Sequence, residues 1–207
     1  MINSYLSIKN YNIMKNEIKL GIILIVFATL CFGIMDGVSR YLAEEYNVFI
    51  INMYRSWVLV LFVLIYSLKK GGIRDISSSK KPFVQIIRGI ILISCVCIGV
   101  YSFTVLGLIT SHTIIAIYPL LVLPLSYYFL SEKIGWKRWS AVFTGFLGII
   151  IVLNPISLNF DYNMIWPLLL AFLLAIYSIL TRKISAYDNS ETSFFWVAIV
   201  GGVIMTM

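Results

Sequence analysis

Charge is scarce in this 207-residue chain. Asp, Glu, Lys and Arg together make up 12% of it, and there are three cysteines, five prolines and one histidine. An ordinary soluble domain is roughly a quarter charged, so this shortage excludes a water-facing globular surface. A lone His112 has no second imidazole to share a metal with, and Cys31, Cys95 and Cys97 fall inside apolar runs without C-x-x-C spacing. Neither metal nor cofactor is expected. The chain also lacks G-x-S-x-G, H-E-x-x-H and a P-loop, the patterns that activate a serine, hold zinc or cradle phosphate. Catalysis is therefore not expected.

What is present is apolar. Hydrophobic residues make up 60% of the chain, and the mean hydropathy is +0.95. These values describe an integral membrane protein. The formal net charge of +7 would suggest nucleic acid in a soluble protein, but here the positions of the bases carry the information. A nucleic-acid partner has no support, and the bilayer is the first partner.

Crossing a hydrocarbon layer ~30 Å thick takes about 20 apolar residues in a helix, since lipid satisfies no open backbone group. Six segments qualify, at 20–42, 48–68, 86–108, 111–130, 139–153 and 164–181. The first is preceded by nineteen residues and lacks an A-x-A-like cleavage site, so it reads as a retained helix. A seventh stretch, 194–207, rises only ~21 Å as a helix and stops short of the far interface. It reads as a truncated span, so the chain is expected to be a fragment or a truncated product.

The connectors alternate in charge. Lys9, Lys15 and Lys19 precede the first span; Lys69, Lys70, Arg74, Lys80, Lys81 and Arg88 surround the second connector. Lys133, Lys137 and Arg138 lie in the fourth, and Arg182 and Lys183 in the sixth. Fourteen of the 16 basic residues thus fall on one side, which the positive-inside rule makes the cytoplasm, with the N-terminus on that side. The opposite connectors carry Glu44, Glu45 and Asp161 and no base. Only Arg40 and Arg55 are left, and both lie inside spans.

Sliding the chain by 142 positions sets GIMDGVSRYL, residues 33–42, over AIYSILTRKI, residues 175–184, and Arg40 over Arg182. The second copy lies five spans on, an odd number, so it enters the membrane from the other side. That is the inverted repeat on which many secondary transporters are built.

In the first span Thr29, Gly33, Asp36, Gly37 and Arg40 share one helical face. A charge at the bilayer centre costs roughly 2.5–3.5 kcal/mol even on lenient scales, so this face is expected to meet protein or a water-filled cavity. Gly33-x-x-x-Gly37 is expected to admit a neighbouring backbone, and Gly145 and Gly148 are further packing positions. Asp36 is within reach of Arg55 as well as Arg40. A structural salt bridge and a substrate- or proton-binding site both fit that arrangement. Arg88, Cys95, Gly99 and Ser102 share a face of the third span, beside Tyr101, and Tyr118 lies far enough inside the fourth to stack on a planar solute. The pathway candidates are therefore Asp36, Arg40, Arg55, Arg88, Tyr101, Ser102 and Tyr118. Pro119 and Pro124 remove backbone donors and are expected to bend the fourth span. His112 reads as interfacial.

Pro119 in mid-helix, the Glu132–Lys133 pair at the end of that helix, the aromatic start at Trp136 and Trp139, and Gly145 and Gly148 occur together in residues 110–155. Arg40 ends the first span, Arg55 opens the second and IIRGIIL opens the third. This set resembles the EamA-type repeat of the drug/metabolite transporter superfamily. The resemblance covers residues 20–155 as one repeat and 162–207 as the start of a second, after an arm at 1–19. It implies an all-α polytopic bundle of inverted five-helix repeats, ten helices when complete, with six full spans and a truncated seventh here. It further implies a secondary transporter of amino acids or nucleoside-like cofactor solutes in the cytoplasmic membrane, working by alternating access. The cavity would be lined by the first, third, fourth and sixth spans, and a second copy of the chain is a candidate partner. The other reading is a non-transporting fragment or accessory membrane subunit.

Overall fold

The computed structural model describes residues 2–69, 72–130, 135–153 and 161–207. Among them the apolar runs form helices and no strands: α1 (Ile2–Glu45), α2 (Val48–Lys69), the short α3 (Ile73–Ser77), α4 (Pro82–Leu106), α5 (Leu108–Ile115), α6 (Tyr118–Leu130), α7 (Trp136–Leu153), α8 (Ile165–Ile184) and α9 (Ser190–Thr206). The Glu132–Lys133 pair and Pro155 lie outside the described residues.

Among the described residues five segments are long and apolar enough to cross a membrane: Ile18–Glu45, Val48–Lys69, Pro82–Leu106, Leu108–Leu130 and Tyr162–Ile184. Of the expected six, the crossing at residues 139–153 is not confirmed among the described residues. That segment is helical within α7, whose first turn carries Lys137 and Arg138, and residues 154–160 after it lie outside the described residues. The last helix, Ser190–Thr206, is apolar but shorter than a span.

The expected fourth span is broken in two. Helix α5 ends at Ile115 and α6 begins at Tyr118. The cause is Pro119, whose ring crowds the carbonyl four residues earlier, that of Ile115, and whose nitrogen has no proton to give it. Pro124 stays within α6. Between α4 and α5 the chain reverses at Gly107, whose φ of 80° is open to glycine. The turn is closed by two buried serines: Ser102 Oγ donates to Ser111 Oγ at 2.9 Å, and Ser111 Oγ to the Ser102 carbonyl at 3.0 Å.

Helix α4 is the axis of the bundle. Helix α8 packs along it, with Leu170 against Gly99 and Tyr177 by Arg88, and its Ala171 and Ala175 have no exposed surface; small side chains let helix backbones come close where lipid offers no hydrophobic drive. Helix α9 lies against α2 and α4, and the closest approaches are at Gly89 and Gly202. A Cβ on Gly89 would lie 2.7 Å from Val200 Cβ, and one on Gly202 would lie 2.7 Å from Val60 Cγ2. The glycines picked from the sequence behave differently. Around Gly33, Gly37 and Gly148 an added Cβ meets nothing within 4 Å, and at Gly145 it would meet Leu120 Cδ2 at 3.1 Å. G-x-x-x-G permits close approach but does not cause it; here the neighbouring helix came to other glycines. The polar stripe of α1 is likewise only half used. Residues 22–34 are exposed, and contact with the bundle begins near Met35. Thr29 satisfies its own hydroxyl on the carbonyls of Ile25 and Val26, so it needs no protein partner.

Candidate functional site

Three cavities follow one another along α4, and Leu92 lines all of them. The first, about 330 Å³, lies at the lysine-rich end, with Arg88, Tyr177, Thr181, Asp188 and Ser193 on its walls. Arg88 is 3% exposed. Its Nη1 donates to Gln85 Oε1 at 2.8 Å, its Nη2 donates to the Ser193 carbonyl at 3.1 Å, and Cζ stands 5.3 Å from the centre of the Tyr177 ring. Gln85, with no exposed surface, donates in turn to Asp188 Oδ2 at 2.9 Å and to Ser193 Oγ at 3.2 Å.

Asp188 closes this end. It sits between α8 and α9 and accepts from Ser79 Oγ, from the Lys80 amide at 2.9 Å and from Gln85. Burial alone would raise its carboxyl pKa. The bonds from Ser79, Gln85 and the Lys80 amide, with the charge of Lys80, outweigh that and hold it below the usual carboxylate range. Lys81 Nζ lies 3.8 Å over the Tyr187 ring, and Trp196 Nε1 donates to the Ser77 carbonyl at 3.1 Å. The connector before α4 is thus tied to the start of α9 by residues more than a hundred positions apart.

The middle cavity, about 490 Å³, is bounded by α1, α2, α4 and α9. Its wall is apolar apart from Arg55 and Ser56. Asn52, one turn from Ser56, is 1% exposed, and its Nδ2 bonds to the Val48 carbonyl at 3.0 Å. The third cavity, about 180 Å³, lies toward Gly107 and brings together Asp36, Arg55, Cys95, Gly99, Phe103 and His112. Asp36 Oδ2 stands 3.4 Å from His112 Nε2, and the imidazole stacks on Phe103 with ring centres 4.9 Å apart. His112, read from the sequence as interfacial, is half exposed and faces Asp36. Its position next to the Gly107 turn puts it level with Asp36, and that depth match was the available signal.

The model of the EamA-like transporter family matches residues 19–154. The chain belongs to the EamA-like transporter family. Relatives include S-adenosylmethionine uptake transporters of Rickettsia bellii, 30% identical over 82% of this chain and 57% of the relative, and of Rickettsia prowazekii, 26% identical over 89% and 62%. A riboflavin transporter of Vibrio cholerae is 23% identical over 90% of this chain and 63% of its own length. The chain thus spans about three-fifths of the length of the curated relatives it matches. No solved structure matches it. The EamA-like chain is a multi-pass protein of the cytoplasmic membrane, and its family consists of transporters, not enzymes.

Within this EamA-like bundle the sequence-chosen residues separate into groups. Asp36, Arg55 and Arg88 line the three cavities. Arg40 does not pair with Asp36; its guanidinium lies by the Gly107 turn, where a Cβ would be 4.0 Å from Nη2. Ser102 is engaged with Ser111, Tyr101 packs edge-on against Trp166 at 5.2 Å, and Tyr118 is 37% exposed. None of these four lines the three cavities. Gln85, Tyr177, Thr181, Asp188 and Ser193 were not picked out from the sequence, because each is an ordinary polar residue until the fold converges it on Arg88.

Proposed function

We propose that this chain carries a small metabolite, amino-acid-like or nucleoside-like, across the cytoplasmic membrane by alternating access along α4. The observation that carries the reading is the row of three cavities sharing Leu92, with Asp36, Arg55 and His112 at one end and Arg88 at the other. Ligand pockets typically measure about 300–1,000 Å³, a range that accommodates a nucleoside-sized solute. Ionisable groups inside membrane segments mark solute or proton routes by default, since burying them without a use is costly. The relatives named for S-adenosylmethionine and riboflavin support the solute class.

By the charge rule the Asp188 end faces the cytoplasm. The ties from Ser79, Lys80 and Gln85 to Asp188 make it the closed end, while Asp36 and His112 lie toward the outside. The inverted repeat is part of the same proposal. Its support is that Arg40, near the end of α1, lies at one end of α4, while Asp188, just past the end of α8, lies at the other, so α1 and α8 run in opposite senses. Uptake of labelled S-adenosylmethionine, riboflavin and a set of amino acids into cells expressing the chain tests the reading. Accumulation of at least one above the vector control is expected; silence across the panel overturns it and favours an accessory membrane subunit.

A further inference from the structure

The cavity at the Asp188 end holds more donor capacity than the protein uses. A guanidinium carries five N–H donors, and Arg88 Nε, together with Thr181 Oγ1, is buried without a partner. Both residues line that cavity. No carboxylate oxygen among the described residues lies within 4 Å of Arg88. A buried cation ordinarily stands against an anion, because neutral carbonyls replace only part of its lost hydration. Asp188 shares the wall, but its oxygens already accept from Ser79, Lys80 and Gln85, and Gln85 stands between the two charges as a neutral spacer. Ser190 and Ser193 bring the first turn of the 17-residue α9 to the same wall, and a helix N-terminus favours negative charge. The neighbouring 490 Å³ cavity, apolar apart from Arg55 and Ser56, shares Leu59, Leu92, Phe194 and Val197 with this one.

We propose that Arg88 and Thr181 form a carboxylate subsite that seats the anionic head of the transported solute, while the adjoining apolar cavity takes its uncharged body. One guanidinium beside one hydroxyl, with Asp188 nearby, suits a single negative charge and not a doubly charged phosphate. The proposal rests on the transporter reading and narrows it to solutes bearing a carboxylate.

The test is equilibrium binding to the purified chain of S-adenosylmethionine against its decarboxylated derivative. A second probe pair, acetate against acetamide, is scored by thermal stabilisation. The carboxylate form of each pair is expected to bind better. Arg88→Gln is expected to weaken the carboxylate form about 10- to 100-fold, as loss of a charged hydrogen bond does, and the neutral form little. Arg88→Lys keeps the charge but not the fork and should recover part of the preference. Thr181→Val, close to isosteric, should weaken the carboxylate form a few-fold and serves if the arginine variants fail to fold. Equal binding of both members of each pair, or a preference unchanged in Thr181→Val and in the folded Arg88 variants, overturns the subsite. Uptake measured alongside keeps the readings apart: uptake without an Arg88-dependent preference sinks the subsite alone, and the preference without uptake of any solute sinks the transporter reading alone.

Discussion

Asp188→Ala is the most direct probe of how the lysine-rich end is held. The substitution removes the acceptor of three donors: Ser79 Oγ, the Lys80 amide and Gln85 Nε2. A hydrogen bond to a charged group is worth about 1.5–3 kcal/mol, yet the loss is smaller where the donor regains water. Ser79 is half-buried and Lys80 exposed, so those two cost about 1 kcal/mol together once rehydrated. Gln85 has no exposed surface and cannot rehydrate in place; stranding its Nε2 costs about 2 kcal/mol. The sum is about 3 kcal/mol. Asp188→Asn keeps one acceptor for the Lys80 amide and should cost about half as much.

The pH dependence carries a sign. Because the folded carboxyl titrates below its ordinary range, its contribution is fully present above the unfolded value near 4 and is lost as pH falls through the lower folded value. The deficit of Asp188→Asn should therefore be constant from pH 8 down to about 5 and shrink in stronger acid. Equilibrium unfolding in mixed micelles at pH 7 and at pH 3 reads both effects. An Asp188→Ala chain within about 0.5 kcal/mol of the parent at pH 7 would refute the magnitude, since surface changes of no consequence fall in that range. A deficit that grows in acid would refute the sign.

Gly89→Ala drives a Cβ to 2.7 Å from Val200 Cβ and should cost about 1–3 kcal/mol by overpacking. Gly148→Ala meets nothing within 4 Å and should stabilise by up to about 1 kcal/mol through helix propensity; thermal melts of the pair that move in the same direction would contradict this packing. Ser111→Ala leaves Ser102 Oγ buried without its acceptor and should cost about 1–3 kcal/mol, with faster amide exchange around the Gly107 turn and no change at α9. Asp36→Asn removes the charge that faces His112 at 3.4 Å. Solute uptake by this variant should lose its pH dependence, and a pH profile identical to the parent's would remove Asp36 from any proton-coupling role.

Much of the bundle was legible along the chain because lipid imposes a one-dimensional rule. A span must be apolar for about 20 residues and its backbone must close on itself, so composition alone forces helices and their approximate ends. The break before Pro119 belongs to the same class, since a missing N–H is a property of the residue itself. Segment 139–153 is where that rule is weakest, since the apolar run is short and bases stand at its start. Arg88 and Asp36 were visible as anomalies because charge in an apolar run is rare and expensive.

Their partners were not visible. Asp36 faces His112 and not Arg40, and Arg88 meets Gln85, Ser193 and Tyr177, because helix rotation and contact are decided by which small residues let backbones approach. Gly89 and Gly202 play that part here, and in sequence they look like many other small residues in apolar helices. The linear pattern determined that this chain is a stack of apolar helices with a few costly charges. Only the packing of α8 and α9 against α4 decided that those charges sit at opposite ends of one row of cavities, since pairing across more than a hundred residues depends on geometry that no local periodicity encodes.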